Sequence, residues 1–402
     1  MPTILPAVLI GGPPHTGKSV LSYSLHQRLR ENGIEHYLYR ACPDGEGDWF
    51  HEGPTDLVRM IRADVRGAWT PAFSQMVCRH LAQRPLPWLV DVGGKPGFLD
   101  EPIFRACTHA ILLTSNEEIH ARWLMLVERA GLQLLADLHS EEIGTSSIAA
   151  EAPVVRGTVA NLRRGELAIG EVIDMLAERI TPLLQFGQTE LRQIRLSQAP
   201  AERVLELDRL NPENTSTTQI DWHPAQLPRL LEQVPRDTAL ALYGGGTPNW
   251  VVGAIAAATA PAPLAQFAIR QGWVRVPSLA HELLEGDHWH EASYGLEGWA
   301  RASYDHTLLD LFLLPGVDEL DDARVAEMRL PALPLQRGVI CSGQLPLWFW
   351  AALARAYHRN VPWLAFYQPK LNSAVVIASH DQTKRLGDLL PFTPLERTKT
   401  SH

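Results

Sequence analysis

The stretch Ala7-Val-Leu-Ile-Gly-Gly12-Pro-Pro-His15-Thr16-Gly17-Lys18-Ser19 decides how the first half of the chain folds. Its unbroken apolar start reads as a strand buried on both faces, as in a parallel sheet. Gly12 to Ser19 fits G-x-x-x-x-G-K-[ST], a glycine-rich turn between a strand and a helix. The helix is expected over Ser19–Glu31, ended by Asn32-Gly33. Glycines let such a turn curl its N–H groups onto phosphate oxygens, and the helix N-terminus adds partial positive charge. The expected cofactors are ATP and Mg²⁺, with ATP the default because no base-specificity motif is present. Gly12, His15, Thr16, Gly17 and Lys18 would surround the phosphates, with Lys18 reaching the β and γ groups. The Ser19 hydroxyl would ligate the metal. Trp88-Leu-Val-Asp91 supplies an aspartate at the end of a second apolar strand, so Ser19 and Asp91 form the expected metal pair. Asp91-Val-Gly-Gly94 resembles a switch loop.

Outward from this motif, short apolar strands alternate with amphipathic helices, the pattern of a parallel α/β sheet. Strands are expected over 35–40, 87–92, 109–114, 132–138 and 154–159. Helices are expected over 55–66, 71–82 and 170–184. The acidic turn Pro43-Asp44-Gly-Glu46-Gly-Asp48 follows the second strand and reads equally as a solvated turn or as a group facing the γ-phosphate. Arg156 and Arg163-Arg164 read as an exposed basic turn ahead of a nucleotide contact. Residues 185–200 carry no strong core pattern and read as a linker or connecting helix. The expected first domain is 1–190.

With 402 residues, two or three domains are expected. A hydrophobic share of 46% and a charged share of 20% describe an ordinary globular chain. Thirty-six Lys+Arg against 45 Asp+Glu leave a net charge of −9, which argues against a broad grip on duplex DNA. No basic leader and no apolar run of the length a membrane span needs is seen. Cys42, Cys78, Cys107 and Cys341 are scattered, without metal or disulfide spacing, so a reducing cytoplasm is expected.

The remainder carries a weak internal repeat. Tyr243-Gly-Gly-Gly-Thr-Pro-Asn-Trp250 matches Cys341-Ser-Gly-Gln-Leu-Pro-Leu-Trp348 at an offset of 98, which pairs Gly245 with Gly343, Pro248 with Pro346 and Trp250 with Trp348. Each turn precedes an alanine-rich helix, 251–258 and 349–357, and then a strand pair, 264–268 with 273–276 and 363–367 with 374–378. Chance likeness of two β-turn-α units is the competing reading. The two tryptophans sit in apolar company and read as core. Asp287-His288-Trp-His290, with Glu282 and Glu285, reads as a polar loop ahead of a metal cluster. The alanine-rich helices make a homo-oligomer reasonable.

Ser342-Gly343, Pro346-Leu-Trp348, Ala356-Tyr357-His358, Tyr367-Gln368-Pro369-Lys370-Leu371, Ser379-His380 and Gly387-Asp388 follow one another in order. Together, over 338–388, they resemble the CRISPR-associated ring nucleases, which degrade cyclic tetra-adenylate in type III systems and are also found fused to P-loop domains. The resemblance implies an α/β chain: a parallel-sheet P-loop NTPase domain, then two tandem ferredoxin-like α+β repeats at 200–295 (degenerate) and 296–395. It implies a cyclic oligoadenylate as ligand and manganese-assisted cleavage. His358 and His380 are the expected acid and base, Lys370 the expected cation, and Gln368 stands where the family places an acidic residue. An amide is neither a base nor an anionic metal ligand. Ser342, Gly343, Gly245, Gly246 and Arg270 are the expected ligand contacts. Two functions stay open: a ring nuclease coupled to NTP binding, or a sensor that binds the ring without cutting it and switches a P-loop ATPase or kinase. A blander third reading is a nucleotide kinase or switch ATPase with a structural C-terminal half.

Overall fold

The computed structural model describes residues 4–42, 70–94, 101–210, 222–283, 287–291, 295–314 and 320–392. The acidic turn at 43–48, the helix expected over 55–66 and Glu285 lie outside the described residues. The chain divides into two compact units, Met1–Ser197 with Ile269–Gly272, and Gln198–Ala268 with Trp273–His402.

The first unit runs β1 (Ala7–Gly11), α1 (Lys18–Glu31), β2 (Tyr37–Ala41), α2 (Pro71–Ala82), β3 (Trp88–Val92), α3 (Glu101–Ala106), β4 (His109–Thr114), α4 (Glu117–Ala130), β5 (Gln133–Glu141), β6 (Ser147–Ala150), β7 (Val155–Ala160), α5 (Glu171–Leu184) and α6 (Gln188–Ser197). Its sheet has the order β2-β3-β1-β4-β5-β7-β6. The β5–β7 pair is parallel and the edge strand β6 antiparallel. The apolar run of β1 is explained by its two faces. Ala7 and Leu9 join a core under α2, α3, α4 and α6, whereas Val8 and Ile10 join a core under α1 and α5. Because β1 pairs in parallel with both β3 and β4, the phosphate loop leaves from the middle of the sheet.

Three elements beyond the sequence expectations appear here, α3, α4 and β6. Helix α4 is capped by Asn116, whose side chain accepts from the amides of Glu118 and Ile119, and it ends on left-handed Gly131. Strand β6 is four residues long and alternates exposed with half-buried positions, with Ile148 packed on the core. The segment at 185–200 is a connecting helix rather than a bare linker. Leu191 and Ile194 enter the core, and Arg195 donates from Nε to the Pro85 carbonyl at 2.9 Å.

The second unit begins with β8 (Arg203–Glu206), α7 (Leu207–Leu210), a 3-10 turn, α8 (Leu227–Glu232), β9 (Leu240–Tyr243), α9 (Asn249–Ala258), β10 (Leu264–Ala268) and β11 (Gly272–Arg275). It continues with β12 (Ala280–Glu282), β13 (His288–Glu291), β14 (Leu296–Ala302), β15 (His306–Leu313), α10 (Asp322–Val325), β16 (Arg329–Pro331), β17 (Gly338–Gly343), α11 (Leu347–Tyr357), β18 (Trp363–Gln368), β19 (Ser373–Ser379) and β20 (Leu389–Pro391).

The internal repeat is visible in the strand orders. One sheet reads β11-β10-β9-β8; a second contains β15-β17-β18-β19 within β13-β14-β15-β17-β18-β19-β20. In both, the first three strands of the repeat are parallel neighbours. The strands lie in chain order with one helix between the second and third, and a hairpin strand follows the third; in the first repeat it is the sheet edge, in the second β20 pairs beyond it. This corrects the ferredoxin-like expectation: a βαββαβ unit uses two crossover helices around a central hairpin, whereas here the last pair is a plain hairpin.

One core runs through both repeats. Helix α9 packs on α11 and also on β18 and β19, while α11 packs on β10. Trp250 and Trp348 are both fully buried in it, as expected. Asn249, the first residue of α9, donates from Nδ2 to the Tyr367 carbonyl at the far end of β18. Arg355, in the last turn of α11, donates to the Ala262 carbonyl just past α9, at 2.7 Å. The two helices therefore run side by side in the same direction, with both N-termini at one end of this unit.

Candidate functional site

In the first unit Gly17 caps α1 in a left-handed conformation, φ 81°, and the helix starts at Lys18 without a side-chain cap and without an acidic residue in its first turn. Its free amides are therefore available to an anion. Gly12 has φ 152°, and a Cβ there would stand 1.9 Å from the Leu113 carbonyl oxygen on β4. Thr16 Oγ1 and Lys18 Nζ both donate to the Pro13 carbonyl, at 2.9 and 2.7 Å, which closes the loop on itself. Ser140 donates to the Thr16 carbonyl at 2.9 Å. A Cβ on Gly17 would strike Leu162, and one on Gly94 would come 2.5 Å from the Pro14 amide nitrogen, so the exits of β7 and β3 both lie on the loop.

Asp91 is 2% exposed and sits in register with Ile10, the next-to-last residue of β1. Burial lowers the Lys18 pKa, and the nearby Asp91 and Cys42 counter it in part. His15 is exposed with φ 66°, and Ser19 is half-buried in the first turn of α1. A magnesium nucleotide fits this donor set: helix-end amides and an ammonium for phosphate oxygens, and the Ser19 hydroxyl with the Asp91 carboxylate for the metal. Such an ion supplies neutralisation of charge on the β and γ oxygens.

In the second unit the two turns share a backbone. Gly244 has φ 149° and Gly343 φ 142°. A Cβ on Gly244 would meet Leu207 at 3.1 Å, and one on Gly343 would come 2.0 Å from the Leu311 carbonyl oxygen. Pro248 and Pro346 then precede α9 and α11 with φ −64° and ψ 150° and 149°, and neither helix has a side-chain cap. A single offset thus fails in the turns. Gly343 corresponds to Gly244 rather than Gly245, because the glycine position is set by its approach to the preceding strand. The first turn holds one extra residue, and Gly245 and Gly246 are exposed beyond it.

Asp310 stands outside the residues expected from the sequence. It pairs in register with Ser342, whose hydroxyl donates to its carboxylate, and it is 8% exposed. Glu206 holds the same place in the first repeat, in register with Tyr243. One acid inside His306-Thr-Leu-Leu-Asp-Leu-Phe-Leu313 was the available signal, since a carboxylate amid buried apolar residues needs a donor.

The four expected catalytic residues do not converge. Gln368 and Lys370 lie at the β18–β19 turn, at the strand end that also carries Gly343. His358 ends α11, and His380 follows β19, whose Ser379 pairs with Trp363 at the start of β18. The length of β18, about 16 Å at ~3.3 Å per residue, separates the two pairs. His380 Nε2 donates to the His358 carbonyl at 2.9 Å, and its amide donates to the Pro362 carbonyl. His358 Nδ1 lies 3.1 Å from the carbonyls of Ala354 and Arg355. Burial lowers its pKa. The histidines thus hold the start of the hairpin in place.

Arg270 and Lys370 each stand two residues past a strand and two before a left-handed residue, Gly272 and Asn372. Arg270, however, belongs to the segment counted with the first unit, with its guanidinium 5.4 Å from the Tyr37 ring centre. His288 lies on β13, a strand rather than the expected loop, and stacks on Trp299. Among the described residues no group of three or more His, Cys, Asp or Glu is placed to hold a metal. Among them, too, no helix is long and apolar enough to cross a membrane.

Fold and site define an α/β chain in which a unit with a G-x-x-x-x-G-K-S loop between β1 and α1 is followed by a duplicated β-α-β-β unit. Residues 316–391 match the model of a family described as CRISPR-associated protein (Cas_csx3). An uncharacterized protein of Aquifex aeolicus (strain VF5) is 33% identical over 54 residues, 13% of this chain; the match spans about half (48%) of that relative's length. Among solved structures, molybdopterin-guanine biosynthesis protein B is 15% identical, with 44% of this chain and 98% of that one covered and a TM-score of 0.23. An unliganded sugar kinase from Janibacter sp. HTCC2649 is also 15% identical, with 45% and 94% covered and a TM-score of 0.20.

Proposed function

We propose that the second unit binds a cyclic oligoadenylate, with cyclic tetra-adenylate as the reference ligand, and that this binding is coupled to ATP and Mg²⁺ at the phosphate loop of the first unit. On this reading residues 1–190 are the NTP-binding domain, 200–295 a degenerate half-site and 296–395 the fuller one. The observation that carries it is the pair of equivalent glycine turns, Gly244–Thr247 and Gly343–Leu345, opening onto two helices whose N-termini share one end. Two such ends suit a small anionic ring with internal symmetry. The family matched by 316–391 supports a role in CRISPR defence.

The separation of His358 and His380 from this end, and the amide at Gln368, favour a sensor that holds the ring and switches NTP turnover. A ring nuclease is the second reading. It is supported by the presence of His358, Lys370 and His380 within the matched stretch. The deciding experiment incubates the chain with radiolabelled cyclic tetra-adenylate, with and without ATP and Mn²⁺, and follows both label and phosphate release. Retained intact ring with altered ATP turnover supports the sensor; linear product supports the nuclease; no binding removes both. Lys18→Ala should abolish the nucleotide-dependent part and leave ring binding in place.

A further inference from the structure

The turn Gly244-Gly-Gly-Thr247 of the first repeat holds groups that the fold does not use. Thr247 is 5% exposed, and its Oγ1 is shut off from solvent with no hydrogen-bond partner among the described residues. An unpaired hydroxyl in the interior is costly. In the second repeat the residue before the proline that opens the helix is Leu345, which packs on the shared core. The same place therefore accepts an apolar side chain, and packing alone does not call for a hydroxyl. The backbone has the same excess. Gly244 and Gly246 have φ 149° and 71°, where glycine is favoured, but Gly245 lies outside that region. A Cβ on Gly245 would meet nothing within 4 Å. A bare, exposed residue that the fold does not require suits the close approach of another molecule. Among the described residues none accepts a backbone hydrogen bond from the amides of Gly245, Gly246 or Thr247. Helix α9 follows, ten residues long, with no side-chain cap and no acidic residue in its first turn. The acids that flank the turn, Glu206 and Asp208, stand at its Gly244 end, and Glu206 is paired with Arg209 at 3.2 Å.

We propose that this turn seats one phosphodiester group of the anionic ring. The free amides of Gly245, Gly246 and Thr247 donate to its non-bridging oxygens. The Thr247 hydroxyl joins them after a χ1 rotation that exchanges it with the methyl group, a step between staggered wells. Gly245 is the residue whose missing side chain admits the ligand. The first repeat is then the gripping half of the site rather than a vestige of the second. This rests on the reading of the second unit as a cyclic-oligoadenylate site.

The test is calorimetric titration of the full chain with cyclic tetra-adenylate, beside thermal unfolding, for the wild type, Thr247→Val and Gly245→Ala. Thr247→Val keeps the shape of the side chain and removes the hydroxyl. Its affinity should fall about tenfold, the size of one charge-assisted contact. Its unfolding midpoint should hold or rise, because the group removed has no partner in the protein. Gly245→Ala should weaken binding by at least about the same factor, again with no lowering of the midpoint. A lowered midpoint in Thr247→Val would show a hydroxyl that serves the fold, and would overturn the proposal. Ring affinity within about twofold of the wild type in either variant would overturn it as well. Should Thr247→Val fail to fold, Gly245→Ala decides by the same criterion. A wild type that does not bind the ring removes the underlying reading of the second unit instead.

Discussion

Gly253 of α9 lies directly against the Phe366 ring of β18. A Cβ built on it would stand 2.4 Å from Phe366 Cε2 and 3.0 Å from Ile377 Cδ1. The glycine is what lets the helix of one repeat settle on the sheet of the other. Phe366 cannot yield, because it is fully buried and its ring centre is 4.7 Å from that of Trp350. In an exposed helix Gly→Ala stabilises by about 1 kcal/mol through backbone entropy. Here overpacking, at about 1–3 kcal/mol, opposes that gain and exceeds it. Gly253→Ala should therefore lower the unfolding midpoint of the second unit's transition in calorimetry. A raised midpoint would mean that the two repeats do not share this core.

A second prediction concerns pH. His26 and His36 are buried side by side, Nδ1 of the first 2.9 Å from Nε2 of the second. His36 Nδ1 donates to the Ile34 carbonyl, which leaves its Nε2 as acceptor and makes His26 Nδ1 the donor. Desolvation lowers both pKa values to about 4. The unfolded chain, with values near 6.5, then binds more protons than the folded one between these limits. Stability is complete above pH 6.5 and falls as pH drops toward 4, by about 1.4 kcal/mol per pH unit for each histidine that titrates. Urea midpoints measured between pH 7.5 and 4.5 should show this slope, and His36→Gln should flatten it. A midpoint that stays level over this range would count against the buried pair.

The loop after β1 was legible in the sequence, whereas the histidine pair was not. Val8 to Ile10, the G-x-x-x-x-G-K-S run and Asp91 were readable because the phosphate loop needs those residue types at that spacing, whatever surrounds it. The boundaries of β10 and α5 followed from apolar periodicity in the same way. His26 and His36 were unreadable as a pair, since only the fold brings α1 against the segment entering β2. Strand β6 is four residues long with only Ile148 packed on the core, too short a stretch to show a period. The repeat was legible in Pro248 with Pro346 and Trp250 with Trp348, but the register of Gly244 on Gly343 depends on which neighbouring strand each glycine touches. The separation of Gln368 from His380 follows from the antiparallel β18–β19 hairpin, a topological fact that motif order conceals.

Asp310 and Ser342 give a third prediction. A buried carboxylate that loses a hydroxyl donor keeps its desolvation cost, at about 1–3 kcal/mol. Ser342→Ala should destabilise the second unit by that order. In a cycle with Asp310→Asn the pair should couple by at least about 1 kcal/mol, because the neutral amide no longer demands the hydroxyl. Additive losses in the urea midpoints would show that the hydroxyl and the carboxylate act separately.

The two ends of β18 predict different phenotypes. Lys370 stands at the end that carries both glycine turns, and His380 at the other, where it braces the His358 carbonyl. Lys370→Glu replaces an attractive charge by a repulsive one at the proposed ring site, and one charge-assisted contact is worth about tenfold in affinity. Binding of cyclic tetra-adenylate by calorimetry should weaken by at least about that factor and become less salt-sensitive. His380→Ala leaves that end untouched, so affinity should hold within about twofold while the unfolding midpoint falls with the lost hydrogen bond. If His380→Ala instead abolishes binding and Lys370→Glu leaves it intact, the ring sits at the histidine end, and the paired helix N-termini serve some other purpose.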